Sequence, residues 1–508
     1  MQNQMLSVQQ FNPVDIPLKG NCKIDNYFFA KINGVFEGPN DERFIISGFY
    51  DGDNIWKVRF TPVSLGIWRF SIESSDITME SCDNEIKCIP NENPNIHGGI
   101  KINHDYPHHF QYEDGTNYFM MAYECDWLWA MEMGDPELKS VRELIDIIKH
   151  YGYNQVIMNV YAHDTSWAKN KTSDRDYGPP ELYAWEGTNE NPDHSHINLQ
   201  FFTHYDKVMH YLLNEGISVH LFLKVYNKMV NWPEKGSAED NMYVKYVVAR
   251  YQAFPNVIWD YSKETYYEED KEYIYNVMEL IKDYDAYKRL RTVHDDRIFY
   301  ANENYSKILD FQTAQQHNDF YSSILLERQK RQWPAFNSEF SYDRGLGGDA
   351  HYAWIVHDSE EVIRRGYEIV MAGGYPAYYY DYTAFDVIDF RLTPKGYGYF
   401  KILHDFFTSV DWWRLDPHPE IIIWHGRCLA DIGKEYIFYI DGERIGVNIN
   451  MEDEDFNAYW LNTFTGERVD VNNELWTKHH LSPTFYIFRC PFQDAPGILH
   501  LIVNRTKK

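Results

Sequence analysis

Cysteine is scarce and shows no pattern. Six occur in 508 residues (Cys22, Cys82, Cys88, Cys125, Cys428 and Cys490). None has the paired spacing of a zinc ligand set or of a disulfide framework, so reduced thiols are expected. Positive charge is also in short supply. Lysine and arginine total 48 against 76 acidic residues, a formal net charge of -28. Such a chain repels phosphate backbones and anionic lipid, which argues against nucleic acid and membrane surfaces as partners. No run is long and apolar enough to span a bilayer, and Met1 to Gln10 lacks the basic segment and apolar core of a secretory leader. A cytoplasmic protein is the expectation.

Several catalytic motifs are missing as well. There is no Gly-x-Ser-x-Gly elbow and no His-Glu-x-x-His frame. The pairs His108-His109, His194-Ser-His196 and His479-His480 have no third ligand at helical spacing. Gly345-Leu-Gly-Gly348 lacks the full glycine fingerprint and its strand-to-helix setting, and reads as a flexible active-site loop. No catalytic metal and no cofactor is expected. Internal repeats, low-complexity tracts and long charge blocks are absent.

What is abundant is aromatic surface. Aromatic residues make up 17% of the chain, with 41 tyrosines and 15 tryptophans. Flat apolar faces with a polar handle suit sugar rings, although core and interface packing use the same residues.

The hydrophobic rhythm changes twice. From Phe11 to about Pro90, short alternating runs such as Trp56-Lys-Val-Arg-Phe are broken by Gly-Pro-Asn and Asp-Gly-Asp turns, the pattern of a small Ig-like β-sandwich over 1–95. From about Tyr112, apolar strands alternate with amphipathic stretches such as Pro136 to Tyr151, Phe201 to Asn214, Tyr267 to Tyr284 and Ser359 to Met371. Eight strands are predicted, beginning near Tyr118, Gln155, Ile217, Val257, Leu290, Ile308, Pro334 and Tyr375, and eight such units over 96–412 close into a (β/α)8 TIM barrel. After Trp412-Trp413 the strand-and-turn pattern returns, giving a second all-β sandwich over 413–508.

Two of the predicted barrel strands end in a glutamate. Asn256-Val-Ile-Trp-Asp-Tyr-Ser-Lys-Glu delivers Glu264 after strand four, and Pro334-Ala-Phe-Asn-Ser-Glu delivers Glu339 after strand seven. Both would emerge on the C-terminal face, where barrel enzymes place their chemistry. Hydrolysis of a glycosidic bond needs such a pair, one to donate a proton and one to act as nucleophile or base. An ionised Glu339 would raise the pKa of Glu264 and keep it protonated. The alternative for each is a structural strand-end carboxylate paired with arginine.

With these residues in view the chain resembles the retaining clan A glycoside hydrolases, and more closely the apiosidase-like ones. It shares with them an N-terminal sandwich, the ending Ser262-Lys263-Glu264, and a C-terminal sandwich carrying Tyr459-Trp-Leu-Asn-Thr-Phe-Thr-Gly-Glu467 that looks like a domain labelled collagen-binding. The resemblance implies Glu264 as acid/base, Glu339 as nucleophile and a retaining, exo-acting hydrolysis of short oligosaccharides or glycosides. One position departs from it. Many clan A enzymes carry Asn before the acid/base residue to bond the sugar 2-hydroxyl; here Lys263 stands there, and an ammonium cannot accept a hydrogen bond.

The other strand ends supply candidates for substrate binding: Trp127, Tyr161, His163, Asp164, Trp185, His294, Gln315, Tyr342 and Asp381, together with Lys263 itself. Trp129, Tyr226, Asn227, Asp295, Asp296, Gln316, His317 and Tyr380 are neighbours of the same kind, and Trp167 stands with Trp185 on the insertion after strand two. Each has second-layer packing as its alternative reading. The expected partner is a small carbohydrate, and a homo-oligomer is left open. A non-catalytic sugar-binding protein on the same barrel is the second reading, and Lys263 is its main support.

Overall fold

The structure is a computed structural model. It describes residues 5–79, 84–165, 175–295, 300, 302–344, 355–451, 455–480 and 482–504. The eight expected parallel strands are present. In ring order they are Ala122–Glu124, Gln155–Asn159, Ser218–Val225, Val257–Lys263, a fifth strand in two pieces (Arg291–Thr292 and His294–Asp295), Gln312–Gln315, Ala335–Glu339 and Tyr375–Tyr380. The eighth pairs with the first, Ala122 lying opposite Ala377. The fifth strand bonds to strand four through its first piece and to strand six through its second, so the barrel closes but for a break at Val293. Strands three, four, seven and eight are buried at every residue, as parallel strands covered on both faces must be.

Helices wrap this ring, and their starts follow local side-chain chemistry. Asn198 accepts bonds from the backbone N–H of Gln200 and Phe201 ahead of Leu199–Asn214, Ser237 from Asp240 ahead of Ala238–Tyr251, and Asp270 from Tyr273 ahead of Lys271–Tyr284. The third of these helices begins four residues later than its amphipathic pattern suggests, because Thr265–Tyr267 forms a separate 3-10 turn. A second correction concerns strand one. Asn117–Tyr118 joins Ile100–Ile102 and Phe110–Tyr112 in an antiparallel sheet, and the barrel strand itself starts at Ala122. The apolar run from Tyr118 to Tyr123 serves two sheets in succession, and nothing polar marks the change.

Two all-β regions flank the barrel. Ahead of it, a five-stranded sheet (Leu6–Gln9, Asn84–Ile89, Gly66–Glu73, Asn33–Glu37, Arg43–Ser47) faces a three-stranded one (Val14–Lys19, Ile55–Phe60, Phe49–Tyr50). Phe36, Phe60, Trp56 and Trp68 fill the space between them, the two phenylalanine rings stacked at 4.0 Å. After the barrel, a six-stranded and a four-stranded sheet enclose Phe438, Trp460, Phe488 and Leu499.

The N-terminal sandwich is bolted to the barrel by a buried ion network. Arg59 binds Asp15 at 2.6 Å and, on helix Leu199–Asn214, Asp206 at 2.8 Å. Arg250, on helix Ala238–Tyr251, takes both oxygens of Asp206 at 2.9 and 2.8 Å and reaches back to Asp51 at 2.9 Å. Burial pushes the Asp206 carboxyl up, but two guanidinium groups outweigh it and hold the group well below the usual carboxylate range. At the other end the ties are shallower: Arg364 to Asp441 and Arg328 to Asp416 are partly exposed pairs, joined by the stacked rings of Tyr367 and Tyr439.

Candidate active site

Strand four is apolar up to Trp259 and then turns polar inside the barrel. Asp260 accepts from His220 at 2.8 Å, and the strand ends in Ser262-Lys263-Glu264. Glu264 itself has a left-handed backbone (φ 57°), which a residue with a Cβ rarely adopts and which turns the chain sharply into Thr265–Tyr267. Strand seven reaches Glu339 through a bulge. Asn337 is paired with Ala314 but Glu339 with Gln315, leaving Ser338 as the extra residue. A bulge of this kind re-aims the side chain that follows it.

The two glutamates end up in opposite electrostatic settings. Glu264, 8% exposed, is pushed up to about 7, by burial above all, with the charge of Glu339 adding to it and Lys228 and Lys263 opposing. Burial would also raise Glu339, which is 2% exposed. There it is overcome by Lys263, His294, His317 and the Tyr342 hydroxyl, which bring the carboxyl down to about 2. Tyr342 donates to Oε1 of Glu339 at 2.6 Å and Tyr379 to Oε2 at 3.2 Å, their rings stacked at 4.7 Å. Lys263 Nζ stands 3.9 Å from the same Oε2 and His294 Nε2 3.7 Å from it. Burial and the nearby Lys263 push His294 down to about 3 in spite of Glu339, so the imidazole is neutral. Neither of its ring nitrogens makes a hydrogen bond among the described residues.

The remaining candidates divide by what they touch. Tyr342, His294 and Lys263 lie against Glu339. Trp127 is fully buried after strand one, its ring 5.7 Å from the Lys228 ammonium and its Nε1 without a protein partner. Gln315 ends strand six, and the Tyr266 hydroxyl is held far above its ordinary range by burial, with the charges of Glu264 and Glu339 adding to it. The backbone N–H groups of His163 and Asp164 both donate to the carbonyl of Lys228, and Tyr161 meets His163 Nδ1 at 2.9 Å. Asp381 is buried at the end of strand eight, its N–H on the carbonyl of Asp343. Trp185 opens a hairpin, Trp185–Gly187 with Pro192–Ile197, and packs among Tyr183, His194, Trp232 and Tyr243. Its ring fills the heart of the insertion. Trp129 packs on Phe201 and Tyr161. Trp167, Asp296, Gly345–Gly348 and Cys82 lie outside the described residues.

Four residues of this site escaped sequence reasoning: Glu124, Asp126, Lys228 and Tyr379. Glu124 and Asp126 accept from Lys263 Nζ, the latter at 2.9 Å, and all three side chains are buried. Two acids at i and i+2 where strand one ends were a readable signal, since alternate residues of a strand share a face. Lys228 gave none. Among the described residues, no group of three or more His, Cys, Asp or Glu side chains is placed to hold a metal ion, and no helix is long and apolar enough to cross a membrane.

A parallel barrel carrying all-β regions fore and aft is the architecture of several glycoside hydrolases. A candidate glycoside hydrolase from Bacteroides vulgatus ATCC 8482 superimposes with a TM-score of 0.82 at 18% identity, over 98% of this chain and 100% of that one. A family 5 glycoside hydrolase from the same organism gives 0.59 at 15% identity, over 80% and 93%. These likenesses are of fold, a (β/α)8 barrel with flanking all-β regions. The apiosidase-like catalytic domain matches residues 104–413, and the chain belongs to that family. The domain of unknown function DUF5060 matches residues 7–75. Among curated proteins none matches.

Proposed function

We propose that the protein is a retaining, exo-acting glycosidase of short oligosaccharides or glycosides, with Glu264 as acid/base and Glu339 as nucleophile. The observation that carries the reading is the opposite protonation of two buried strand-end glutamates, one raised to about 7 and the other lowered to about 2. Glu264 protonates the leaving oxygen while Glu339 attacks the anomeric carbon; the C–O bond to the leaving group breaks and a glycosyl ester forms. Esterification removes the negative charge of Glu339. Glu264, now ionised, takes a proton from water, which attacks the same carbon and releases Glu339 as carboxylate. The donors on Glu339 from Tyr342 and Tyr379 fix the attacking oxygens in place.

Exo action is part of the proposal, and both glutamates lie deep in the barrel mouth. The nitrogens of His294, Nε1 of Trp127 and Oε1 of Gln315, which have no hydrogen-bond partner among the described residues, would meet sugar hydroxyls, with His163, Asp164, Tyr161 and Asp381 around them. Lys263 leaves that set, because its ammonium already bonds Glu124 and Asp126; Trp185 stays in the proposal as a ring packed against Tyr243 and Trp232. Lys263 thereby loses its weight for a non-catalytic reading. Cytoplasmic action on imported sugars remains part of the proposal.

The test is hydrolysis of a panel of aryl pyranosides and furanosides of both anomers by wild type and Glu339→Gln. Turnover of one glycone, lost by about four orders of magnitude in the variant, with a first product of unchanged anomeric configuration, is expected. A product of opposite configuration would overturn retention, and an active Glu339→Gln protein would overturn the assignment of the nucleophile.

A further inference from the structure

The mechanism above makes no use of the acid pair at the end of strand one. Glu124 and Asp126 are fully buried, two acids on one face of the strand end. Both acids also accept from the Lys263 ammonium, and Tyr379 OH lies 3.4 Å from the same nitrogen. All three N–H groups of Lys263 thus have protein partners, and none is left for a sugar. The route onward is short: Tyr379 accepts from Lys263 and donates to Oε2 of Glu339 at 3.2 Å.

A charge count points the same way. The carboxyls of Glu124, Asp126, Glu264 and Glu339 surround the ammonium groups of Lys263 and Lys228. Fully ionised, this buried set would carry two surplus negative charges, at heavy cost in a medium of low polarity. Two protons make it neutral. Burial places one on Glu264, and the two acids that share the single Lys263 ammonium are left to hold the other. Burial, then the charge of Asp126, hold Glu124 well above its ordinary range against the pull of Lys263. The other groups facing Glu339 are His294 from strand five, His317 beyond strand six and Tyr342 beyond strand seven.

We infer that Lys263 is a positioning residue that keeps Glu339 ionised, and that it does so because Glu124 and Asp126 anchor its ammonium while sharing one resident proton. The purpose of the device rests on the glycosidase reading; its test does not. In protein labelled with glutamate carrying 13C at Cδ, the Glu339 and Glu124 resonances are assigned by their loss in Glu339→Gln and Glu124→Gln. Between about pH 5 and 8, Glu339 is expected at a carboxylate shift and Glu124 at a carboxylic-acid shift. In Lys263→Met the Glu339 titration should rise by about two pH units or more. If that variant misfolds, Lys263→Gln keeps a hydrogen-bonding side chain without the charge and should show the same rise. An unmoved Glu339 titration, or an ionised Glu124 in wild type, would overturn the inference. On any glycoside the protein turns over, the acid limb of kcat/KM should move up with the Glu339 resonance in the Lys263 variant, while Lys263→Arg should restore it. A wild type that hydrolyses no glycoside would count against the glycosidase reading alone, since the titration is read without substrate.

Discussion

Two buried ionic clusters in this molecule are built to opposite designs. At the junction of the N-terminal sandwich with the barrel, Arg59 and Arg250 grip Asp15, Asp51 and Asp206 through planar forks, several of them at 2.6–2.9 Å. Arg59 adds a bond from Nη1 to the carbonyl of Arg250 at 2.9 Å. Every carboxylate there gains from a guanidinium, and Asp15 and Asp206 are both lowered. At the barrel mouth the bonding is incomplete. Among the described residues, Oε2 of Glu264, Oε2 of Glu124, Oδ1 of Asp126 and both nitrogens of His294 have no hydrogen-bond partner, and the two glutamates are driven apart in protonation. Burial and charge are common to both places. Saturation marks a joint; unsatisfied groups with divergent protonation mark a functional site.

Breaking the joint should cost the most in stability and little in chemistry. Arg250→Met leaves Asp206 buried with half its partners and should destabilise the protein by about 3–5 kcal/mol, read as a lowered urea midpoint. The protein that remains folded should keep its activity per folded molecule. A midpoint within error of wild type would show the network to be dispensable.

The site should respond to pH in the opposite sense from the joint. Glu264 is raised in the folded state from 4.5 to about 7, so its contribution to stability is full below about pH 4.5 and is lost as pH rises through 7. At about 1.4 kcal/mol per pH unit, the contribution is about 3 kcal/mol. Asp206, lowered in the folded state, contributes above the ordinary aspartate range and loses that contribution as pH falls below it. The stability difference between wild type and Glu264→Gln should therefore change between pH 5 and 8 by roughly that amount, and a difference flat across that range would refute the assigned protonation. The alkaline limb of kcat/KM should fall near the same value of about 7 as the proton donor ionises.

Tyr342→Phe gives the smallest of these effects and the sharpest test of the site. It removes the 2.6 Å bond to Glu339 while leaving the ring stacked on Tyr379. A hydrogen bond to a charged group is worth about 1.5–3 kcal/mol, so kcat/KM should fall by about 10- to 100-fold with little change in the urea midpoint. An equal loss of stability would place Tyr342 with the joint.

The sequence made much of this visible. Alternating patterns bounded by turn residues marked both flanking all-β regions, and the βα rhythm gave the eight-strand barrel with all but its first strand placed within a few residues and the helix Ser359–Met371 to the residue. It also exposed Glu264 and Glu339, because an apolar strand ending in a carboxylate is a local event. Features with no local signature went unread. The passage from Asn117–Tyr118 to Ala122–Glu124 is hidden in one apolar run, and the same tryptophan chemistry gave no means of separating Trp127, beside the Lys228 cation, from Trp185, inside its own cluster.

Fold class, acidity and the two strand-end glutamates were determined by residue type and spacing along the chain, since periodicity and turn chemistry act over a few residues. Which glutamate keeps its proton was decided only in the tertiary structure. Lys263 meets Glu124 and Asp126 across 139 and 137 residues of sequence, and a bulge opposite Gln315 aims Glu339. Protonation depends on burial and on charges a few ångströms away, and folding alone brings those together.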